Sequence, residues 1–374
     1  MTPLFTLGAF QVTPYGLCVL AGAICGVLLC LPKKKVLPVL PWTVLGAILL
    51  GHAFWVFFAS PAYTDEIGTF GLMVQFWRGG YTLYGALLGG ALGALLGAKL
   101  QKLRPLEVLD ALTPGACAAI CLGRLGEYFS GQGYGDVLEN ESLCFFPVAY
   151  VTYSDGDYQE WAYAVWFWEA LAALILLAIL LFWLRNRPEG RRTAVFVAFL
   201  GLTQILLEQL RTDDFVRLNP FVRFTQIAAA LTLLALLIFL VLRYRPSALQ
   251  IVLSFAAMAA GVVAVMMAEF VFDKPQMTWI MYASMIATAL LIWALLTVTR
   301  KQEALLPSGF FAFITLGLIL FQAAANTYEM NSLLLHAVMA AGLCAVGTVI
   351  AVNLPRPAKQ GKFSSSPGFS AKIF

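Results

Sequence analysis

The sequence predicts an all-α, polytopic membrane protein of about eleven transmembrane helices with a small extracytoplasmic cap. Three observations predict it. Of the 374 residues, 61% are hydrophobic and only 12% charged, with a mean hydropathy of +0.83, whereas soluble domains carry about 25% charged residues. The apolar residues fall into segments near the ~20 residues that a helix needs to cross a bilayer. Basic residues alternate between the two sets of connecting loops, as orientation in a membrane demands.

The segments run near 15–31, 38–59, 83–97, 108–125, 162–184, 194–207, 224–242, 249–272, 278–298, 308–325 and 333–352. Lipid excludes irregular backbone, so such stretches are expected to be helices. The third and sixth are short, which suits helices packed against polar neighbours. One set of alternate loops holds Lys33–Lys35, then Lys99, Lys102 and Arg104, then Arg185, Arg187, Arg191 and Arg192, then Arg243 and Arg245, then Arg300 and Lys301, then Arg356, Lys359, Lys362 and Lys372. These are eighteen of the 24 basic residues. The N-terminus is therefore expected outside and the C-terminus inside. Basic residues follow the first apolar segment rather than precede it, so it is expected to be a retained span and not a cleavable signal. The net charge of +4 reads as a topology signal, and no nucleic-acid-binding pattern accompanies it.

Outside loops upstream of Arg243–Pro246 are long and polar, and those downstream are short. This contrast predicts a seven-span core over 1–245, a four-span extension over 246–354 and a disordered cytoplasmic tail over 355–374. Within the core, 127–160 is long, acidic and rich in Tyr and Gly, as expected of a cap on the outer face. Residues 69–78, with Phe70, Met73, Val74, Phe76 and Trp77, suggest an amphipathic helix at the outer interface. Cys117 and Cys121 sit one turn apart without a third ligand, so they are expected to be packing residues. No metal or other cofactor is expected.

The chemistry-bearing residues gather at one end of the core spans. Arg124 closes the fourth span, inside a run containing Gly123, Gly126, Glu127, Gly131, Gly133 and Gly135. An arginine in an apolar span needs a partner or water, and its planar fork suits phosphate. Glu127, three residues on, is a candidate structural partner. Glu208 and Arg211 lie one turn apart at the outer end of the sixth span. Glu169 is buried in sequence among Trp166, Phe167 and Trp168, with Arg124 or Arg211 as its expected partner. The third span carries Gly85, Gly89, Gly93 and Gly97 at every fourth position, a face for close helix approach, with Tyr84 at its outer end. Together these suggest a polar cavity for an anionic headgroup above apolar helices.

With these residues in view, residues 1–245 resemble the bacterial prolipoprotein diacylglyceryl transferase family. The run Gly123-Arg124-Leu125-Gly126…Gly131…Gly135 resembles its Gly-Arg-X-Gly-Asn-Phe-X-Asn-Gly-Glu-X-X-Gly signature. Gly80–Gly89 resembles its Gly-Gly-Met-Ser-Phe-His-Gly-Gly-Leu-X-Gly. Tyr15-Gly16, Asp110, Glu208–Asp214 and Gln226 match further family positions. The resemblance implies transfer of a diacylglyceryl group from phosphatidylglycerol, or another anionic phospholipid, to the lipobox cysteine of a prolipoprotein. It implies a multi-pass protein of the bacterial inner membrane, with prolipoprotein signal peptides as partners. Arg124, Arg211, Tyr84 and Glu169 become the implied catalytic set. Tyr15, Gly123, Glu127, Gly135, Glu208 and Gln226 become the implied substrate-binding set. The chain departs from the family pattern where Tyr84 replaces its histidine, Glu127 and Ser130 its asparagines, Gln132 its glutamate and Gly51-His52 its Gly-Arg. A catalytically degenerate lipid-binding scaffold of the same fold and a transporter are the alternative functions.

Overall fold

The computed structural model describes residues 4–7, 10–59, 69–75, 80–138, 141–155, 158–185, 189–212, 217–219 and 222–244, with isolated positions between 248 and 294. The expected extension over 246–354 (those positions apart) and the tail over 355–374 lie outside the described residues.

Helices dominate. Helix α1 spans Pro14–Cys30, opened by Thr13, whose hydroxyl accepts from the Gly16 N–H at 3.1 Å, and by a proline in its first turn. A 3-10 turn, Lys34–Val39, leads into α2, Leu40–Ala59. A short α3, Thr69–Val74, covers the first part of the amphipathic segment expected at 69–78; residues 76–78 lie outside the described residues. Helix α4 is Leu83–Leu100, capped by Thr82, and α5 is Pro105–Ser130. Helix α6 runs Val165–Ala178 and continues as one π turn, Ile179–Trp183. Helix α7 is Arg191–Leu207, extended by a 3-10 turn at Glu208–Leu210, and α8 is Phe224–Tyr244.

Among the described residues four stretches are long and apolar enough to cross a membrane: Lys34–Phe58, Leu83–Leu100, Pro105–Ser130 and Val165–Trp183. Pro14–Cys30 is a shorter apolar helix, and the exposed residues of the apolar helices form rows. Leu17, Leu20, Ile24 and Leu28 form one outward row on α1, and Leu88, Leu92 and Leu95 form another on α4. An outward row of large aliphatic side chains inverts the soluble-protein pattern and suits a hydrocarbon solvent.

Two helix pairs meet through bare backbone. On α4, Gly89 faces the carbonyl of Gly46 on α2, and Gly93 faces that of Trp42. Gly26 of α1 meets Gly115 of α5 in the same way. A Cβ at any of these positions would occupy the space of a neighbouring backbone atom, so the four-residue glycine spacing serves close packing. Helix α5 is the hub, touching α1, α4, α6 and α7. One apolar core links it to α6 and α7 through Cys117, Leu176, Leu180, Val195 and Phe199. Cys121 packs with Ala170 and Ala173, so both span cysteines are packing residues as expected.

Helix α5 corrects two boundaries drawn from sequence. It extends beyond 108–125 at both ends and stops at Gly131, whose φ of +66° and N–H bond to the Glu127 carbonyl form a left-handed cap. Arg124 and Glu127 therefore stand on one helical face rather than on either side of a helix end. Residues 127–130, the start of the segment expected as a cap, belong to this helix. Between α5 and α6 lies the antiparallel pair β3, Ala149–Asp155, and β4, Tyr158–Tyr163, with Ala149 opposite Tyr163. Helix α6 accordingly starts at Val165 and not at 162.

Two small hairpins flank the helices. Strands β1, Phe5–Leu7, and β2, Phe10–Val12, precede α1, and β5, Arg217–Asn219, pairs with β6, Val222–Arg223, before α8.

Asp110 has a structural task at the far end of α5. Its carboxylate accepts the Gly190 N–H at 2.7 Å, the Thr193 N–H at 2.8 Å and the Thr193 hydroxyl at 2.6 Å. It thus caps the start of α7 from a neighbouring helix. Fourteen helical residues, about 21 Å of rise, separate it from Arg124.

Candidate active site

The polar cluster sits where the C-terminal end of α5, the N-terminal end of α6 and the C-terminal end of α7 converge. Helix geometry places Arg124 and Glu127 three residues apart on the last turns of α5, and Arg124 Nη1 lies 2.5 Å from Glu127 Oε1. Glu169, in the second turn of α6, approaches from the opposite side. Its Oε2 lies 3.2 Å from Arg124 Nη1 and 3.1 Å from Arg211 Nη1. Arg211 follows the 3-10 turn at the end of α7 and also reaches Glu127 Oε2 at 3.4 Å. The candidate structural pair Arg124–Glu127 therefore exists as one edge of a four-member network. Both arginines, not one, partner Glu169.

Burial makes the network consequential. The side chains are only 11% (Arg124), 10% (Glu127), 7% (Arg211) and 1% (Glu169) exposed. Charges so placed hold together only when paired and hydrogen-bonded.

Gln204 completes the pairing and was absent from the sequence-derived set. It is 3% exposed, accepts from Arg124 Nη2 at 3.0 Å and donates to Glu169 Oε1 at 2.9 Å. A signal for it was present: it is a glutamine inside an apolar segment, four residues before Glu208 and so on the same face of α7.

The other expected residues separate into distinct placements. Tyr84, buried on the first turn of α4, lies within electrostatic reach of Glu208, Arg124 and Glu169. Its hydroxyl has no hydrogen-bond partner among the described residues. Glu208 is 2% exposed and joins the same field. Tyr15, at the start of α1, lies within electrostatic reach of Glu127, Arg124 and Arg211. Its ring packs against Gly126, where a Cβ would come within 3.2 Å. Gly135 is bridged by backbone to Arg211, while the Thr212 N–H reaches the Tyr134 carbonyl at 3.0 Å. A Cβ at Gly135 would meet the Leu210 carbonyl and Tyr163. This glycine lets the 131–137 loop hold Arg211 in place.

Gly123 stands apart. It lies on the helix with open space where a Cβ would be, so no packing demand fixes glycine there. The backbone of Gln226 lies on the first turn of α8, but its side chain is outside what the structure describes. His52 sits in the C-terminal half of α2, its Nδ1 3.0 Å from the Gly80 carbonyl and its ring 5.5 Å from that of Tyr81. It anchors the turn that precedes α4. Among the described residues no group of three metal-ligating side chains is present.

Two buried arginines and a bridging carboxylate, delivered by three helices at one level, form an arrangement suited to a phosphate. Comparison with known proteins agrees with this chemistry. A family model described as prolipoprotein diacylglyceryl transferase matches residues 2–243. The chain belongs to the prolipoprotein diacylglyceryl transferase family. It is 30% identical over 262 residues to the phosphatidylglycerol–prolipoprotein diacylglyceryl transferase of Streptococcus suis (strain 05ZYH33), covering 65% of this chain and 92% of that protein. It is 28% identical over 221 residues to the enzyme of the same name from Streptococcus pneumoniae (strain Hungary19A-6), covering 56% and 81%. The match ends at the close of α8, so the family core contains every residue of the cluster.

Proposed function

We propose that this protein is a membrane transferase that moves the diacylglyceryl group of phosphatidylglycerol to the lipobox cysteine of a prolipoprotein. The observation that carries the proposal is the convergence of buried Arg124 and Arg211, from α5 and the end of α7, in a member of this family. In the reaction a sulfur–carbon bond forms as the carbon–oxygen bond to the donor's phosphate breaks. Glycerol phosphate leaves with that electron pair, and the proton given up by the thiol is taken by the departing phosphate, which leaves as the monoanion. Negative charge grows on the departing phosphate, and fixed guanidinium groups in a water-poor site stabilise it. Glu169 and Gln204 hold the Arg124 fork in orientation. Tyr84, its hydroxyl buried near the arginine, supplies a further donor to the phosphate. Tyr15 lines the lipid side of the site.

For the setting we propose eleven spans in the bacterial cell membrane, with the N-terminus and the cap over β3 and β4 outside. Support comes from the alternation of basic loops along the sequence. On this assignment the cluster opens toward the outer leaflet. Four spans after residue 245 form an extension to the family core.

The test uses the full chain in phosphatidylglycerol-containing proteoliposomes with a lipobox peptide. Mass spectrometry should find the peptide heavier by one diacylglyceryl group. Arg124→Ala should lower the rate by at least about a hundredfold, the order seen when one preorganised charge stabiliser is removed. Absence of transfer from any phospholipid would overturn the proposal.

A further inference from the structure

Both arginines of the cluster already carry carboxylates, and Glu169 and Glu127, which each pair with both, are held differently. Glu169 is 1% exposed and fixed by three partners at once: Arg124, Arg211 and Gln204. Glu127 is held by fewer. Its Oε1 pairs with Arg124, while its Oε2 stands 3.4 Å from Arg211 Nη1 and accepts no hydrogen bond among the described residues. It belongs to the last turn of α5, four residues before the left-handed Gly131. Beside it Gly133, with φ +70°, leaves room for Oε2; a Cβ there would collide with that oxygen.

Charge decides what an incoming phosphate must do. Arg124 and Arg211 face Glu127, Glu169 and Glu208. Glu127 and Glu208 alone match the two cations, and any charge on Glu169 adds to the negative side. A phosphate diester added on top would leave the buried site with excess negative charge, an unfavourable accumulation. Exchanging one carboxylate for the phosphate leaves the balance unchanged.

We propose that Glu127 is a built-in competitor for the donor's phosphate, occupying Arg124 and Arg211 until the lipid displaces it. The inference rests on the transferase function proposed above. Of the two carboxylates that bridge Arg124 and Arg211, Glu127 is the one that moves, because it breaks fewer contacts than Glu169. Its place on the same helix as Arg124 keeps it tethered, so it returns when glycerol phosphate departs. The residue therefore sets donor affinity and closes the arginines against other anions between turnovers.

The experiment compares the full-length wild type, Glu127→Gln and Glu127→Asn in mixed micelles of phosphatidylglycerol and phosphatidylcholine. Removing the competitor should lower KM for phosphatidylglycerol about tenfold without lowering kcat. An unchanged or higher KM overturns the inference. A collapse of kcat at unchanged KM also overturns it, since Glu127 would then act on the reacting atoms. A second readout does not need turnover: lipid retained after purification, measured by native mass spectrometry. Both variants should keep more phosphatidylglycerol relative to phosphatidylcholine than the wild type. If the wild type transfers nothing while the variants still enrich phosphatidylglycerol, the transferase function falls and the competition stands. If the wild type transfers and the variants show neither change, the competition alone falls.

Discussion

Replacing Glu169 with glutamine keeps the side-chain shape and removes one charge from the centre of the network. In the native site its Oε2 lies 3.2 Å from Arg124 Nη1 and 3.1 Å from Arg211 Nη1, and its Oε1 accepts from Gln204 at 2.9 Å. At an effective dielectric of 20, each contact carries a gross attraction of about 5 kcal/mol. Desolvation cancels much of that in the intact protein, but not after one partner is deleted. Removing one member of a buried pair typically costs about 3–5 kcal/mol. Glu127 remains on both arginines, which brings the expectation to the low end, about 3 kcal/mol. Reversible unfolding in mixed dodecyl maltoside–SDS micelles, followed by tryptophan fluorescence, measures the difference. Gln204→Ala should cost about 1.5–3 kcal/mol through lost hydrogen bonds to charged groups. The double variant should cost less than the sum, because both residues orient Arg124. A loss below about 1 kcal/mol for Glu169→Gln would refute the reasoning, since the two arginines would then not depend on this carboxylate for neutralisation.

The remaining predictions concern the frame around the site. Gly93→Ala places a Cβ against the Trp42 carbonyl, so α2 and α4 must separate; overpacking of this kind costs about 1–3 kcal/mol and should show as a lowered unfolding midpoint. Asp110→Ala removes three hydrogen bonds at the start of α7 and should cost about 2 kcal/mol in the same assay, the upper range for a lost cap. Its effect on KM for phosphatidylglycerol should be under twofold, given about 21 Å of helix between it and Arg124; a larger change would show coupling between the two ends of α5.

The membrane class, the direction of the glycine face on α4 and the clustering of Arg124, Glu169, Glu208 and Arg211 at one end of the core helices were legible in the chain itself. Each rests on a local regularity. Lipid tolerates few charges, so apolar length and basic alternation mark the spans. A four-residue glycine repeat marks a helix face, and a charge within an apolar helix marks a polar interior. The need of Glu169 for an arginine partner followed from the same physics. Its actual pairing with both Arg124 and Arg211 did not, because that depends on how three helices converge.

Only the tertiary structure decided the rest. Gln204 is one of several polar residues on α7, and nothing local shows that it bridges Arg124 to Glu169. Gly123 and Gly135 look alike in sequence, yet one faces open space and the other lies against Leu210 and Tyr163. Asp110 and Arg124 share helix α5, but one caps α7 while the other belongs to the phosphate-suited cluster. Apolar periodicity reports which residues a solvent excludes. It carries no information on which polar atoms meet across helices far apart in the chain, and that meeting is what the fold supplies.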